Sequence, residues 1–177
     1  MTQYAAFLRG VNVGGVNLKM ADLATALRQA GFTGVMTLLA SGNVLLSSPS
    51  NAAEVRTKTE AALRESFGYD AWVLVYPIEE LRAISAGYPF QREVDGHHSY
   101  VTFVSDPDVL DELAALAPGA GEQSLRGDGV LYWQVPRGNT LDSAISKTMA
   151  KKRYKSSTTT RNLRTVDKVL ASVDSTA

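Results

Sequence analysis

The first 88 residues alternate short apolar runs with stripes of apolar residues at helical spacing. The stripes run from Met20 to Ala30 and from Val55 to Phe67, and they predict two amphipathic helices. Four apolar runs predict strands, at Tyr4–Arg9, Val35–Ala40, Val44–Leu46 and Ala71–Tyr76. The resulting order, β-α-β-β-α-β, is that of the split βαβ unit of ferredoxin-like folds.

Local signals mark the ends of these elements. Gly31 follows the first helical stripe, a position at which glycine commonly ends a helix. Asn51, with Glu54 three residues later, has the pattern of a capping box and predicts the start of the second helix. Ser41-Gly42-Asn43 lies between two apolar runs and predicts a hairpin turn.

The second half of the chain repeats much of this pattern, after a linking helix that ends before Gly87. Tyr100–Val104 predicts a strand, and Asp106-Pro107 predicts the start of a helix. Gly127-Asp128-Gly129 stands between two further strand-like runs and is a strong hairpin signal. The second half therefore begins, like the first, with the order β-α-β-β.

Two more helices complete the predicted second half. Thr140 predicts the N-cap of the first, and that helix is expected to bury three residues: Leu141, Ile145 and Met149. Residues 160–173 predict the last helix, which the polar run Thr158-Thr159-Thr160-Arg161-Asn162 would open and cap.

These elements predict an α+β protein of two tandem ferredoxin-like (βαββαβ-type) subdomains with an extra C-terminal helix. The first subdomain, with the linking helix, is expected at residues 1–88. The second, with a basic terminal helical segment, is expected at residues 89–177. The duplication is one of element order and not of residue identity.

The most informative stretch is the first strand, which runs directly into a polar loop rich in glycine, Gly10-Val-Asn-Val-Gly-Gly15. Ferredoxin-like sheets usually take the strand order 4-1-3-2, with strands one and three adjacent and antiparallel. In that order the end of strand one, at Arg9, lies beside the start of strand three, at Asn43. The glycine loop and the Ser41-Gly42-Asn43 turn are therefore expected at the same edge of the sheet.

Two such loops together form a candidate anion site. Successive glycines allow backbone N–H groups to converge on an anion, and a nearby cation adds charge-assisted hydrogen bonds. We predict that a small phosphate- or carboxylate-bearing ligand binds there, with hydrolysis as one variant of this function. The candidate residues are Arg9, Asn12, Gly14, Gly15, Lys19, Ser41 and Asn43.

Simpler interpretations of the same loops stay open. The glycine spacing matches neither a Walker A loop nor a dinucleotide fingerprint. Glycines after a strand also form plain tight connections, and Ser-Gly-Asn is an ordinary turn. Acylphosphatases cradle phosphate in the loop after strand one of this fold, beside an asparagine. Here Arg9 precedes the glycines and Lys19 stands at the helix start, so the pattern departs from theirs and the analogy rests on fold alone.

Composition narrows the chemistry. The chain has no cysteine, which excludes disulfides, thiol catalysis and cysteine-ligated metal sites. Only His97 and His98 supply imidazole, and neighbouring strand positions point to opposite faces. They are expected to be surface or loop residues, so neither a metal site nor a cofactor is predicted. No apolar run is long enough to cross a membrane, and the chain lacks the pattern of a signal peptide, so a cytoplasmic protein is expected.

The net charge of zero hides two charged blocks. Residues 93–128 hold eight acidic side chains and one arginine, whereas residues 147–164 hold seven basic side chains and no acidic one. The basic block suggests a secondary anion site, at Lys151, Lys152, Arg153, Arg161 and Asn162. It also suggests a nucleic-acid-binding module as the alternative function, although the neutral chain and the absence of an aromatic RNA-binding motif disfavour it. A third interpretation is a protein-interaction domain in which the blocks bind a partner or each other. The oligomeric state is left open.

Three motifs carry a family resemblance: Leu8-Arg-Gly-Val-Asn-Val-Gly-Gly15, Ser41-Gly-Asn-Val44 and Thr159-Thr-Arg-Asn162. With these motifs in this order, the chain resembles a widespread bacterial family, domain of unknown function 1697, over essentially its whole length. The resemblance implies a small cytosolic α+β protein of ferredoxin-like character and implies no catalytic role. Family members often have tryptophan after the arginine–asparagine pair, where this chain has Leu163.

Overall fold

A computed structural model describes residues 1–9, 17–39, 42–68 and 70–175. Its eight strands in these ranges are β1 Thr2–Arg9, β2 Thr33–Leu38, β3 Asn43–Ser48, β4 Trp72–Pro77, β5 His97–Val104, β6 Gln123–Arg126, β7 Val130–Pro136 and β8 Thr158–Asn162. The six α-helices of the same ranges are α1 Met20–Gln29, α2 Ala52–Phe67, α3 Ile78–Ala86, α4 Pro107–Ala114, α5 Ala144–Met149 and α6 Leu163–Ser175, and a 3₁₀ turn covers Lys152–Tyr154.

The first sheet has the strand order β2-β3-β1-β4, with every neighbouring pair antiparallel. This is the order expected from the sequence, with strands one and three at the centre. Phe7 lies opposite Asn43 on β3, and Arg9 lies opposite Trp72 on β4. The register therefore brings the end of β1 to the starts of both β3 and β4.

One face of this sheet packs against α1 and α2. Tyr4, Ala6 and Leu8 alternate along β1 toward these helices, and Leu23 and Leu27 of α1 lie in the same buried cluster. The predicted capping box at the start of α2 is confirmed, because Asn51 Oδ1 accepts from the Glu54 amide at 2.9 Å and Glu54 Oε2 accepts from the Asn51 amide. Gly31 ends the α1 segment with φ of 97°, as expected for a residue that follows a helix.

The second sheet has the order β6-β7-β5-β8. Counted from its own first strand, β5, this is the same strand order as in the first sheet. Strand β8 corrects the sequence prediction, which placed Thr158–Asn162 at the opening of a helix. β-branched threonines favour extended backbone, and here Thr158, Thr159 and Thr160 pair antiparallel with β5. The last helix begins only at Leu163, and Asn162 caps it by accepting the Arg164 amide at 2.9 Å.

The helix predicted to start at Thr140 also begins later. Ser143 is its N-cap and accepts the Ser146 amide at 3.1 Å, so α5 starts at Ala144. Leu141 therefore lies outside the helix and is 84% exposed, whereas Ile145 and Met149 are buried as predicted. Serine, threonine and asparagine are all good N-caps, so the pattern marked the region but not the residue.

The described chain is thus a mixed α+β structure with two four-stranded antiparallel sheets and six helices. Its contacts divide it into two units, Met1–Leu81 with Val169–Ala177, and Arg82–Lys168. Within the residues that the structure describes, no helix is both long enough and apolar enough to span a membrane.

Candidate functional site

The end of β1 and the β2–β3 turn lie together at one edge of the first sheet. The Leu8 amide donates to the Gly42 carbonyl oxygen at 2.9 Å, and Phe7 lies directly opposite Asn43. Side chains directly opposite each other in an antiparallel pair share a face. By alternation along β1, Arg9 lies on the same face of the sheet as Phe7 and Asn43.

Asn43 is completely buried and stabilises the turn. Its Nδ2 donates to the Leu38 carbonyl oxygen at 3.0 Å, across the hairpin. Gly42 has φ of 81° and Leu39 has φ of 58°, so the turn uses left-handed backbone on both sides. For leucine this conformation costs free energy, and such costs are most often found at functional sites.

Arg9 is half-buried at the last position of β1. Burial lowers the pKa of its guanidinium, because removal from water disfavours the charged form. Arginine nevertheless stays protonated at neutral pH, since its ordinary pKa is far above 7. The edge therefore holds a positive charge that is partly shielded from solvent.

Lys19 is exposed and precedes the first residue of α1. It supplies no side-chain capping hydrogen bond to the first turn of that helix. Four other predicted site residues lie outside the described residues: Asn12, Gly14, Gly15 and Ser41. Of the seven predicted ligand-binding residues, the structure places Arg9 and Asn43 at one sheet edge and Lys19 at the start of the helix that follows the loop.

The predicted secondary basic site is not one exposed cluster. Arg161 is 8% exposed, and its Nη1 donates to Thr159 Oγ1 at 2.8 Å and to the Thr160 carbonyl oxygen at 2.9 Å. Arg153 forms an ion pair with Glu112, a residue of the acidic block. Lys151 and Lys152 are exposed at the 3₁₀ turn.

Glu112 also accepts a hydrogen bond from Tyr154, the residue after Arg153. It accepts the Tyr154 hydroxyl at 2.8 Å, and this hydrogen bond to a carboxylate raises the pKa of the Tyr154 phenol. The Arg153 guanidinium lies 5.3 Å from the centre of the Tyr154 ring. The acidic and basic blocks therefore contact each other within the second unit.

A cavity in the second unit was missed by the sequence interpretation. It has a volume of about 280 Å³ and lies between the segment before β5, the start of β5, the end of β8 and the start of α6. Its polar lining includes both histidines, which were expected at the surface or in loops and are partly buried residues of β5. Asn162 also lines this cavity, apart from the other predicted basic-site residues. Recognising it required β8, which the apolar pattern did not reveal.

The described residues contain no group of three histidine, cysteine, aspartate or glutamate side chains placed to hold a metal ion. The sheet edge and the cavity supply guanidinium, ammonium, imidazole, amide and hydroxyl groups, and the cavity lining adds the carboxylates of Glu93 and Asp167. The donor groups of such a set bind and orient oxyanions.

Comparison of folds finds a close match in a bacterial protein. The structure of conserved bacterial protein SP0830 from Streptococcus pneumoniae has a TM-score of 0.79 and 23% identity, covering 96% of this chain and 97% of that chain. A crystal structure of an unknown protein from Galdieria sulphuraria has a TM-score of 0.28 and 10% identity, covering 91% of this chain and 96% of that chain. The first likeness shows a shared fold.

No curated protein matches the chain. The family model described as "Protein of unknown function (DUF1697)" matches residues 1–132, about three quarters of the sequence. This match includes the glycine loop, the Ser-Gly-Asn turn and the complete first sheet. The chain therefore belongs to the DUF1697 family of proteins of unknown function.

Proposed function

We propose that this protein binds a small phosphate- or carboxylate-bearing ligand at the loop after β1. The ligand would contact Arg9 and the glycine loop, with Lys19 adding charge from the start of α1. The proposal includes the fold expected from the sequence, two tandem ferredoxin-like subdomains at 1–88 and 89–177 with α6 as the extra C-terminal helix, and a cytoplasmic location.

The half-buried guanidinium of Arg9 is the observation that carries this proposal. It sits at the end of a central strand whose preceding residues, such as Phe7 and Leu8, are buried. Partial removal from water strengthens the attraction between a guanidinium and an oxyanion, since less solvent screens the two charges. An arginine in this position can also donate two parallel hydrogen bonds to one carboxylate or phosphate.

The surrounding backbone supports the same function. Gly42 lies beside the end of β1, because its carbonyl oxygen accepts the Leu8 amide. Lys19, the exposed N-cap of α1, makes no side-chain capping hydrogen bond to that helix, and helix N-termini favour anions. The Arg9 guanidinium, the Lys19 ammonium and the N-terminus of α1 are thus three sources of positive potential that are close together in sequence.

Binding is the core of the proposal, and hydrolysis is a separate question. Arg9 and Lys19 stabilise negative charge and do not serve as a general base while protonated. The amide nitrogen of Asn43 already donates to Leu38. A hydrolytic activity would therefore need a group from outside this set, and release of phosphate from acetyl phosphate would reveal it.

Nucleic-acid binding through the basic block is the alternative, and two contacts weigh against it. Arg153 is paired with Glu112, and Arg161 is buried and bonded to its own strand. Both guanidinium groups would have to leave these contacts to neutralise phosphates. The third interpretation is a protein-interaction domain that binds its partner through the charged blocks. The ion pair between Arg153 and Glu112 lessens the charge that these blocks can offer to such a partner.

The proposal is tested by thermal shift with inorganic phosphate, acetyl phosphate, a sugar phosphate, malonate and a short single-stranded oligonucleotide, at low and moderate salt. A small anion should raise the melting temperature of the wild type at both salts, and Arg9→Gln should reduce this increase. The control is Arg28→Gln, because Arg28 lies at the far end of α1 and donates to the Val35 carbonyl oxygen. An equally large shift in folded Arg9→Gln, or one seen with the oligonucleotide alone, would overturn the proposal.

A further inference from the structure

The cavity of the second unit has a lining built from four segments of chain. Its charged and imidazole side chains are Arg92, Glu93, His97, His98, Arg164 and Asp167. Ser99, Asn162 and Leu163 complete the lining. The volume of about 280 Å³ is near the lower end of the range for small-molecule sites, so the cavity suits a ligand smaller than a dinucleotide.

Arg92 and Asp167 of this lining already have ionic and hydrogen-bonding partners. Arg92 Nη2 lies 2.7 Å from Asp167 Oδ2, and Arg92 Nη1 donates to the Ser85 carbonyl oxygen at 2.9 Å. Ser85 Oγ donates to Asp167 Oδ1 at 2.6 Å. Arg92 and Asp167 therefore neutralise each other in a closed network, which forms a rigid wall of the cavity and contributes little net charge.

The other ion pair of the lining, between Arg164 and Glu93, is weak. Arg164 has one ionic contact among the described residues, with Glu93 at 3.8 Å, which is too long for a hydrogen bond. Both side chains are mostly exposed, so solvent weakens their attraction. The Arg164 guanidinium is thus able to donate to a ligand without breaking a strong contact.

The two histidines add further hydrogen-bonding groups to the lining. His97 Nδ1 lies 3.1 Å from the Asp95 carbonyl oxygen, so Nδ1 carries the proton of the neutral ring and Nε2 is left as an acceptor. The imidazole of His98 makes no hydrogen bond to any residue that the structure describes, and its ring lies 5.8 Å from that of Tyr100. Two ring edges therefore have unused hydrogen-bonding capacity.

Helix α6 begins at the cavity. Asn162 uses Oδ1 to accept the Arg164 amide, which leaves its Nδ2 as a further donor. The positive end of the 13-residue helix dipole adds to the potential of the Arg164 guanidinium. The lining thus holds guanidinium, imidazole and amide donors, and the loosely held carboxylate of Glu93 lies beside Arg164.

We propose that this cavity is a second binding site, independent of the loop after β1, for a small molecule that carries a carboxylate or phosphate group. The oxyanion binds Arg164, with His98 and Asn162 as further donors. Glu93 acts as an internal competitor, because its carboxylate occupies the position beside Arg164 that the ligand needs. The backbone of Glu93 is left-handed, with φ of 56°, a conformation that is uncommon for a non-glycine residue.

The test is a titration of ¹⁵N-labelled protein with inorganic phosphate and, separately, malonate at constant ionic strength, followed by amide correlation spectra. The amides of Ser99, Asn162 and Arg164 should shift and saturate with at least one probe. Arg164→Gln should weaken binding about tenfold or more, as expected for loss of a charge-assisted hydrogen bond. Glu93→Gln should strengthen binding, because the competitor loses its charge.

Lys147→Gln is the matched control, since it removes one positive charge from an exposed position of α5 outside the cavity. It should leave both affinities within about twofold, within the range of a screened surface charge. Arg9→Gln should also leave them unchanged, which separates this site from the one proposed at β1. Saturation by phosphate alone or malonate alone identifies the preferred oxyanion, and either supports the site.

Three results would overturn the proposal. One is the absence of saturating shifts at the cavity with both probes. Another is unchanged affinity in Arg164→Gln that has the spectrum of a folded protein. The third is an equal loss in Lys147→Gln, which would show attraction to overall charge and no built site.

Discussion

The backbone amide of Leu8 donates to the carbonyl oxygen of Gly42 across 2.9 Å. This hydrogen bond continues the β1–β3 ladder into the turn before β3, and so the turn and the end of β1 share one register. A slip of one residue would move Arg9 to the other face of the sheet, because side chains alternate along a strand. The position of the Arg9 guanidinium is therefore set by backbone pairing.

Asn43 gives the first test of this arrangement. Asn43→Ala should lower the free energy of unfolding by about 1–3 kcal/mol, because it removes the buried Asn43 amide that donates to the Leu38 carbonyl oxygen across the hairpin. Urea denaturation measures the change. Asn139→Ala, at an exposed asparagine, should leave stability unchanged. Equal stability of Asn43→Ala and wild type would contradict a stabilising role for this side chain.

A buried network of hydrogen bonds in the second sheet gives a second testable prediction. Trp133 Nε1 donates to Thr102 Oγ1 at 2.9 Å, and that hydroxyl also pairs with Thr160 Oγ1 at 2.8 Å. Thr102→Val should cost about 1–3 kcal/mol of unfolding free energy, because the buried indole N–H loses its acceptor. Thr102→Ser keeps the hydroxyl and should cost clearly less. A valine variant as stable as the serine variant would disprove the importance of this bond.

Gly87 and Tyr132 allow a double-mutant cycle. The Tyr132 hydroxyl donates to the Ile84 carbonyl oxygen at 2.6 Å, and a Cβ at residue 87 would lie 2.8 Å from that hydroxyl. Gly87→Ala should therefore destabilise the protein by about 1–3 kcal/mol through overpacking. In a Tyr132→Phe background the same alanine should cost less, because the clashing oxygen is gone. Strict additivity in chemical denaturation would show that the two positions do not interact.

Alkaline pH tests the contact between Tyr154 and Glu112. The carboxylate raises the pKa of the folded Tyr154 phenol above its ordinary value of about 10. A raised folded-state pKa stabilises the protein fully below the unfolded pKa, and this contribution is lost as the pH rises through the folded pKa. The stability difference between wild type and Tyr154→Phe should therefore be constant from pH 8 to 9.5 and shrink above about pH 10. A difference that does not change up to pH 11.5 would contradict the assignment.

The central part of the fold was predictable from the sequence because buried strands and amphipathic helices leave strong periodic signals. The apolar runs around Phe7 and Val44 predicted strands, and the pattern at Asn51 predicted a capping box. The structure has all three features. Strand β8 was not predictable in the same way. Its residues, Thr158–Asn162, carry no apolar alternation, and they become a strand through pairing with β5.

One candidate site was predictable from the sequence and the other was not. Arg9 and Asn43 were predicted to lie together from the usual strand order of ferredoxin-like sheets, and the first sheet has that order. The cavity beside Arg164 was missed because it needs the end of β8 and the start of α6 next to the start of β5, about 60 residues away in sequence. The pairing of Arg153 with Glu112 is another long-range relationship that composition suggested only as two opposite charge blocks.

The most direct test of the central claim is an amide correlation titration of the wild type with the small anion that gives the largest thermal shift. Ligand binding at the loop after β1 predicts saturating shifts at Arg9, Lys19 and Asn43. These shifts should disappear in Arg9→Gln and persist in both Arg28→Gln and Arg164→Gln. Saturating shifts at these three amides that persist in folded Arg9→Gln, or their absence while the amides around Arg164 respond, would contradict the claim.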